Sequence, residues 1–279
     1  MAAARATAAP AGDGGPLLAV VHEDADLLVV DKPAGLVCHP SKAGPRSSLI
    51  GRVRLHLGDG ATAHLINRLD RETSGLVLVA KTDPVARELR RLWETRQVEK
   101  EYVALVHGHV ADDAGCIEAP LGKDTGSRVV IKDCVRPDGA AARTDYTVLQ
   151  RQHLATADGR ELPVTLLQVM PRTGRKHQIR IHLAHLGHPI VGDKLYGGCE
   201  DDYLALVEDR LTPEIVSRLV LRHHALHARA VRFTWRGGLR AFTCALPAWC
   251  PHDHAQDAGV ASATAGAVPG RTSRHPASP

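Results

Sequence analysis

The apolar positions of this chain change period several times, and each period predicts a different element. Leu17–Val21 and Leu27–Val30 are short apolar runs with a polar break between them, and read as two strands. The turn Asp31-Lys32-Pro33-Ala34-Gly35 follows them. From Ser48 to Leu57 the spacing becomes helical, with Leu49, Ile50, Val53 and Leu57 on one stripe. Ser47 or Ser48 can cap this helix and Gly58 can end it. Leu76–Ala80 shows no alternation, so it predicts a strand covered on both faces. Asp83–Gln97 returns to helical spacing, with Pro84 in the first turn. Val85, Leu89, Leu92 and Trp93 share one face, and Arg87, Arg90 and Arg91 the other. That basic face is either solvated surface or a reader of phosphates.

A strand over Tyr102–Val106 leads into a loop-rich region, where Gly122–Arg128 reads as an exposed hairpin connection. Further strands are predicted at Arg143–Gln150, Pro163–Met170, Leu226–Trp235 and Ala241–Leu246. The helix His177–Leu186 presents Ile179, Leu183 and Leu186 as its apolar stripe, so His177, Arg180 and Ala184 point elsewhere. Many strands with few interposed helices, outside βαβ alternation, predict an α+β fold on a mixed, largely antiparallel sheet with flanking helices. Residues 1–15 and 251–279 are Ala-, Gly- and Pro-rich and predict disordered tails around a folded unit spanning 16–250.

Composition narrows the classes. In 279 residues, a hydrophobic fraction of 44% allows an ordinary buried core. The formal charge of +4 permits a polyanionic partner without demanding one. The six cysteines form no Cys-x-x-Cys pair, which argues against a zinc or dithiol site and suits a reducing cytoplasm. No apolar stretch approaches the roughly 20 residues of a membrane span, and the N-terminus lacks the apolar segment of a signal peptide.

The stretch with most chemistry is His64–Gly75, where Asp70 lies between Arg68 and Arg71 and feeds directly into the strand from Leu76. Asp70 could simply order a turn rich in Thr, Ser and Gly. It could equally be a carboxylate kept ionised by neighbouring arginines and used as a nucleophile or as a partner for a cationic sugar. This segment alone leaves both open. A second concentration, Arg172, Arg175 and Lys176 ahead of the helix at His177, has the wrong sign for the helix dipole and predicts an anion held there. His182, His185 and His188 invite a metal reading, but His188 falls beyond the helix and no carboxylate is suitably spaced.

Three ordered blocks resemble one family. Asn67-Arg68-Leu69-Asp70-Arg71-Glu72-Thr73-Ser74-Gly75-Leu76 resembles the signature of the RluA-type pseudouridine synthases, His-Arg-Leu-Asp-x-x-Thr-Ser-Gly, with Asn67 where the family usually has His. Lys100-Glu101-Tyr102 resembles its Lys-x-Tyr strand, and Arg172–His182 its Thr-Gly-Arg-x-His-Gln-Ile/Leu-Arg segment. Leu28–Leu36 and Val191–Gly197 fit further family turns. The resemblance covers about residues 17 to 246 and implies a pseudouridine synthase catalytic domain without an appended N-terminal RNA-binding domain. It implies isomerisation of a uridine in ribosomal or transfer RNA, with no cofactor and no metal, by a cytoplasmic monomer. Asp70 would then be catalytic, Tyr102 would lie against the base, and Arg180 would pair with Asp70. Arg68, Arg71, Arg175 and His177 would support the substrate. A glycoside hydrolase would need a second carboxylate about 5 to 10 Å away, for which Glu72 is the only close candidate. A non-catalytic RNA-binding protein would have no use for Asp70, Tyr102 and Arg180 together.

Overall fold

The structure, a computed structural model, describes residues 17–39, 44–58, 60–156 and 159–250. The two predicted tails lie outside them. In chain order the elements are β1 (Ala19–Glu23), β2 (Leu27–Lys32), α1 (Leu49–Leu57), β3 (His64–Leu65), β4 (Ser74–Ala80), α2 (Asp83–Glu94), β5 (Val98–His107) and β6 (Ala114–Glu118). They continue with β7 (Leu121–Lys123), β8 (Asp133–Val135), β9 (Arg143–Ala155), β10 (Glu161–Pro171) and α3 (Gln178–His185). The chain closes with α4 (Glu200–Val207), α5 (Pro213–Leu219), β11 (Leu226–Trp235) and β12 (Gly238–Thr243).

One sheet runs β1-β2-β4-β11-β5-β10-β9-β6, with β12 on β11 and β3 on β4. Its strand pairs are antiparallel except β4 with β11, which meet over only two residue pairs, Ser74 with His227 and Gly75 with Ala228. The fold is the expected α+β arrangement. Its centre is this short parallel contact, beyond which β4 and β11 part.

Local sequence explains the fork. Gly75 has φ of 109°, and a Cβ there would lie 2.3 Å from the Ala228 carbonyl oxygen, so only glycine lets the two backbones meet. Past Gly75 the edge of β4 facing the fork has lost β11. Asn67 fills the gap: its amide donates to Leu76 O at 3.0 Å and its oxygen accepts from Leu78 N at 2.9 Å. The Ile66 N–H bonds Leu78 O, and β3 covers the remainder. Asn67 thus acts as a substitute strand rung, in line with a residue that positions the turn.

The uniformly apolar β4 is buried on both faces, as its pattern predicts. Leu76 and Leu78 join Leu27, Val29 and the α2 residues Val85, Ala86 and Leu89 on one side. Val77 and Val79 join Leu28, Val30 and the α1 residues Leu49 and Val53 on the other. Helix α1 starts at Ser48, whose hydroxyl accepts the Gly51 N–H, and ends at Gly58 with positive φ.

Several boundaries differ from the expected ones. Helix α2 stops at Glu94 rather than Gln97 because the chain turns at Arg96 (φ 58°) into a longer β5. The last hairpin turns at Arg236 and Gly237, both with positive φ, which places β12 at Gly238–Thr243 rather than Ala241–Leu246. The loop-rich region contains β6, β7 and β8, and residues 124–132 form the expected connection between β7 and β8. Helix α3 is enclosed on all sides over its first six residues, not along one stripe: Gln178 through Leu183 are all buried, and only His185 at its end is exposed. Helices α4 and α5 carry no counterpart in the sequence reading. Among the described residues no helix is long and apolar enough to cross a membrane.

Candidate active site

Asp70 ends the loop that enters β4 at the fork. That loop is fixed from below by Lys32, fully buried at the end of β2, whose ammonium donates to the carbonyls of Pro33, Leu36 and Arg71. The Thr73 N–H closes the turn onto Asp70 O.

The carboxylate of Asp70 meets Arg180 from the first turn of α3, with Nη1 donating to Oδ2 at 2.9 Å. Behind Arg180 stands a second carboxylate. Asp193, with no exposed surface, receives Nε at 2.7 Å and Nη2 at 2.9 Å, and also accepts the Leu195 and Tyr196 N–H groups. The guanidinium is thereby oriented bidentately from behind and presents its remaining nitrogen to Asp70. The Tyr196 ring lies 5.0 Å from it. Burial pushes the Asp70 carboxyl up, but Arg180, then His177 and His224, outweigh it and hold the group below the usual carboxylate range. The flanking Arg68 and Arg71 do not perform this task, contrary to the sequence expectation. Arg68 is exposed, and Arg71 turns its Nε to Gly35 O at 3.3 Å.

His177 precedes α3 with φ of 54°. Its Nδ1 meets the Tyr196 hydroxyl at 2.9 Å, and that hydroxyl also receives the Asp133 N–H at 3.3 Å. When the hydroxyl donates to Nδ1, the neutral imidazole carries its proton on Nε2, which lies 3.8 Å from Asp70 Oδ1, beyond hydrogen-bond reach. Burial holds this histidine down to about 4, so it is neutral at physiological pH.

A second buried pair runs alongside the first. Lys194 Nζ donates to Glu72 Oε1 at 2.8 Å, and to Arg222 O. His223 Nδ1 lies 3.1 Å from Glu72 Oε1, and His224 Nδ1 lies 3.7 Å from its Oε2. His224 Nε2 bonds the Thr73 hydroxyl at 2.7 Å. Asp193 and Lys194 therefore grip Arg180 and Glu72 respectively, tying the loop of Asp70 to one turn. Asp193, Lys194 and His224 carry no individual signal in the sequence beyond the Val191–Gly197 turn, and Glu72 stands out there only as a carboxylate near Asp70.

Two connected lobes open on either side of Asp70, and Asp70, His177, Arg180, Arg68 and Arg175 line both. The smaller, of 360 Å³, has Tyr102, Trp93, Ile66 and Leu226 in its wall. Burial, then the Asp70 charge, push the Tyr102 phenol up to about 12, so its hydroxyl keeps its proton at neutral pH. The larger, of 620 Å³, adds Arg71 and Lys176 opposite Tyr203, Leu206 and Ile131. The basic group ahead of α3 is not wholly available for an anion. Arg172 pairs with Asp145 at 2.6 Å and Lys176 with Asp133 at 2.9 Å, and Arg175 Nε donates to Ala141 O. The three histidines weighed as metal ligands are dispersed: His182 bonds Thr144 and Ala119 O, while His188 bonds His107 O.

An ionised carboxylate, aimed by a buried arginine into a cleft walled by an aromatic ring and by cations, has the chemistry to act on an anionic substrate. The comparisons with known proteins agree on a narrower class. Residues 26–185 match the family described as RNA pseudouridylate synthase, and the chain belongs to that family. It is 38% identical over 187 residues to the dual-specificity RNA pseudouridine synthase RluA of Yersinia pestis, covering 67% of this chain and 85% of that one. It is 38% identical over 184 residues to an uncharacterized RNA pseudouridine synthase of Aquifex aeolicus, covering 64% of this chain but only 55% of the relative. Among solved structures, human RNA pseudouridylate synthase domain containing 1 superposes with a TM-score of 0.64 at 26% identity, covering 84% of this chain and 86% of that one.

Proposed function

We propose that this protein isomerises uridine to pseudouridine within a structured ribosomal or transfer RNA, with Asp70 as the catalytic group. The observation that carries the reading is the relay Asp70–Arg180–Asp193 at the meeting point of the two lobes. Isomerisation breaks the N1–C1′ bond, turns the uracil, joins C5 to C1′, and releases the C5 proton while N1 gains one. A target inside folded RNA must first leave its stack, at a cost of a few kcal/mol. The smaller lobe receives the extruded uridine with its base against Tyr102, and Arg68, Arg71 and Arg175 meet the flanking phosphates. Asp70 acts on the sugar or at C6 as an ionised group, its charge kept by Arg180. Tyr102 serves as stacking surface and proton donor, because a phenol near 12 is no base at neutral pH. His177, neutral, stands 3.8 Å from the Asp70 carboxylate and bounds the space it can occupy. The cysteines are free, which suits a reducing cytoplasm, where we expect a monomer that needs neither metal nor cofactor for this step.

The test is tritium release from cellular RNA labelled at uracil C5. The unmodified protein should release tritium; Asp70→Asn should bind the same RNA and release none. Tyr102→Phe should keep binding and lose turnover. Normal release by Asp70→Asn would show that another group does the chemistry. No release by the unmodified protein on any cellular RNA would favour a binding-only protein.

A further inference from the structure

Asp31, His227 and Cys244 lie on β2, on β11 and just after β12, respectively, and play no part in the relay around Asp70. Each offers one metal-ligating atom, and the three atoms lie within 4.8 Å of one another. His227 and Cys244 are buried, and Asp31 is half-buried. We propose that these three side chains form a zinc site that clamps β2, β11 and the segment after β12 around the start of β4.

Geometry supports this in four ways. Three atoms with that spacing share a point within about 2.8 Å of all of them, so small side-chain rotations reach zinc bond lengths of about 2.0–2.3 Å. The ligand set, one thiolate, one imidazole and one carboxylate, is of the kind zinc takes. His227 Nδ1 meets the Ser74 hydroxyl at 2.8 Å, which fixes the ring and turns Nε2 towards Cys244 Sγ, 3.1 Å away. A hydrogen-bonded second nitrogen is the usual arrangement of a ligating histidine. A cavity of 370 Å³, lined by Asp31, Ser74 and His227, reaches the cluster and gives an ion an entry path and a water as fourth ligand.

Charge supports it as well. Zinc displaces the thiol proton of Cys244 to solvent, and the dication with one thiolate and one carboxylate is then neutral, as burial requires. Arg229, at the β11 bulge, acts on both His227 and Cys244, and Lys32 acts on Asp31; both cations oppose a bound ion, so the site must hold zinc through its own ligand bonds. Ligands separated by nearly two hundred residues carry no spacing motif, which is why the cysteine pattern alone argues against such a site.

The experiment uses the full chain, stripped with a chelator and titrated with zinc by calorimetry and with cobalt by absorption. The expected result is one zinc per chain, with a thiolate-to-cobalt charge-transfer band that the tail residues His252 and His254 cannot produce. Cys244→Ser should abolish the band, and Asp31→Asn should weaken zinc by about 100-fold or more, while Cys116→Ser and Cys199→Ser, at exposed positions, should change neither. Zinc should also raise the unfolding temperature of the unmodified chain but not of Cys244→Ser. Absence of the charge-transfer band, or a band that survives Cys244→Ser, would overturn the proposal.

Discussion

Asp193→Asn isolates the support behind the Asp70 carboxylate. The change keeps shape and the oxygen that accepts from Leu195 and Tyr196, but sets an amide N–H₂ against a guanidinium that is itself only a donor. Both partners are buried, Asp193 completely and Arg180 at 6% exposure, so water cannot replace the lost acceptor. Removing one side of a buried ion pair costs about 3–5 kcal/mol. For a folded unit of this size each kcal/mol lowers the midpoint by about 2–4 °C. The expected fall is therefore on the order of 10 °C, read by thermal unfolding and by urea titration at pH 7.5.

The same variant should lose activity in a particular way. Arg180 keeps its contact with Asp70 but loses the bidentate hold that aims it, so turnover should drop tenfold or more while the RNA concentration for half-saturation stays close to normal. In an Arg180→Met background no cation remains to be stranded, and Asp193→Asn should then cost much less. A coupling of about 2 kcal/mol or more between the two positions is expected. If Asp193→Asn alone is within about 1 kcal/mol of the unmodified protein, the guanidinium is not held from behind and Asp193 has no part in aiming it.

Acid should act through the same region. His177 and His224 are held at about 4 by burial, below the ordinary value near 6.5, so the unfolded chain takes up their protons first as pH falls. Their contribution is complete above about 6.5 and is lost on descending towards 4; at pH 5 each costs about 2 kcal/mol, and a urea midpoint equal at pH 7.5 and 5 would contradict the assignment. Asn67→Ala should destabilise by about 1–3 kcal/mol, since Leu78 N–H and Leu76 C=O lose their partner; Asn67→His should retain activity without a new ionisation near pH 6–7, checked by the rate profile. Arg87, Arg90 and Arg91 remain exposed on α2, and replacing all three with Ala should weaken RNA binding and flatten its salt dependence. An unchanged slope would leave that face merely solvated.

What the sequence disclosed, and what it withheld, divides along the range of the interactions. Elements defined by local pattern were legible: the two-sided burial of β4 from Leu76–Ala80, the Ser48 and Gly58 ends of α1, the full span of β11. The pairing of Asp70 with Arg180 was legible because motif resemblance and helix geometry pointed the same way. Residues whose roles depend on distant partners were not. Asp193 and Lys194 sit in a turn that looks like any Gly-Asp turn until Arg180 and Glu72 fold against it, from 13 and 122 residues away. The flanking arginines misled for the converse reason: adjacency in sequence to Asp70 suggested that they hold its charge, but a turn sends neighbouring side chains in different directions, and Arg71 reaches Gly35 instead.

The fork explains why one carboxylate can be so well placed. Parallel pairing of β4 with β11 ends after Gly75, and strands that part leave unpaired backbone and open space on the same side. Asn67 satisfies the backbone, and the space becomes the lobe beside Asp70. Nothing about Asp70 itself creates this opening; Gly75 does, by allowing a backbone approach that a side chain would forbid. Gly75→Ala should therefore damage the site more than its single methyl implies. A Cβ 2.3 Å from Ala228 O must push β11 away, and with it Tyr102, whose strand pairs with β11 at Ala228. The expected outcome is a folded protein of reduced stability in which turnover falls further than RNA binding. A variant with normal turnover would mean that the fork is not what positions Asp70 against Tyr102.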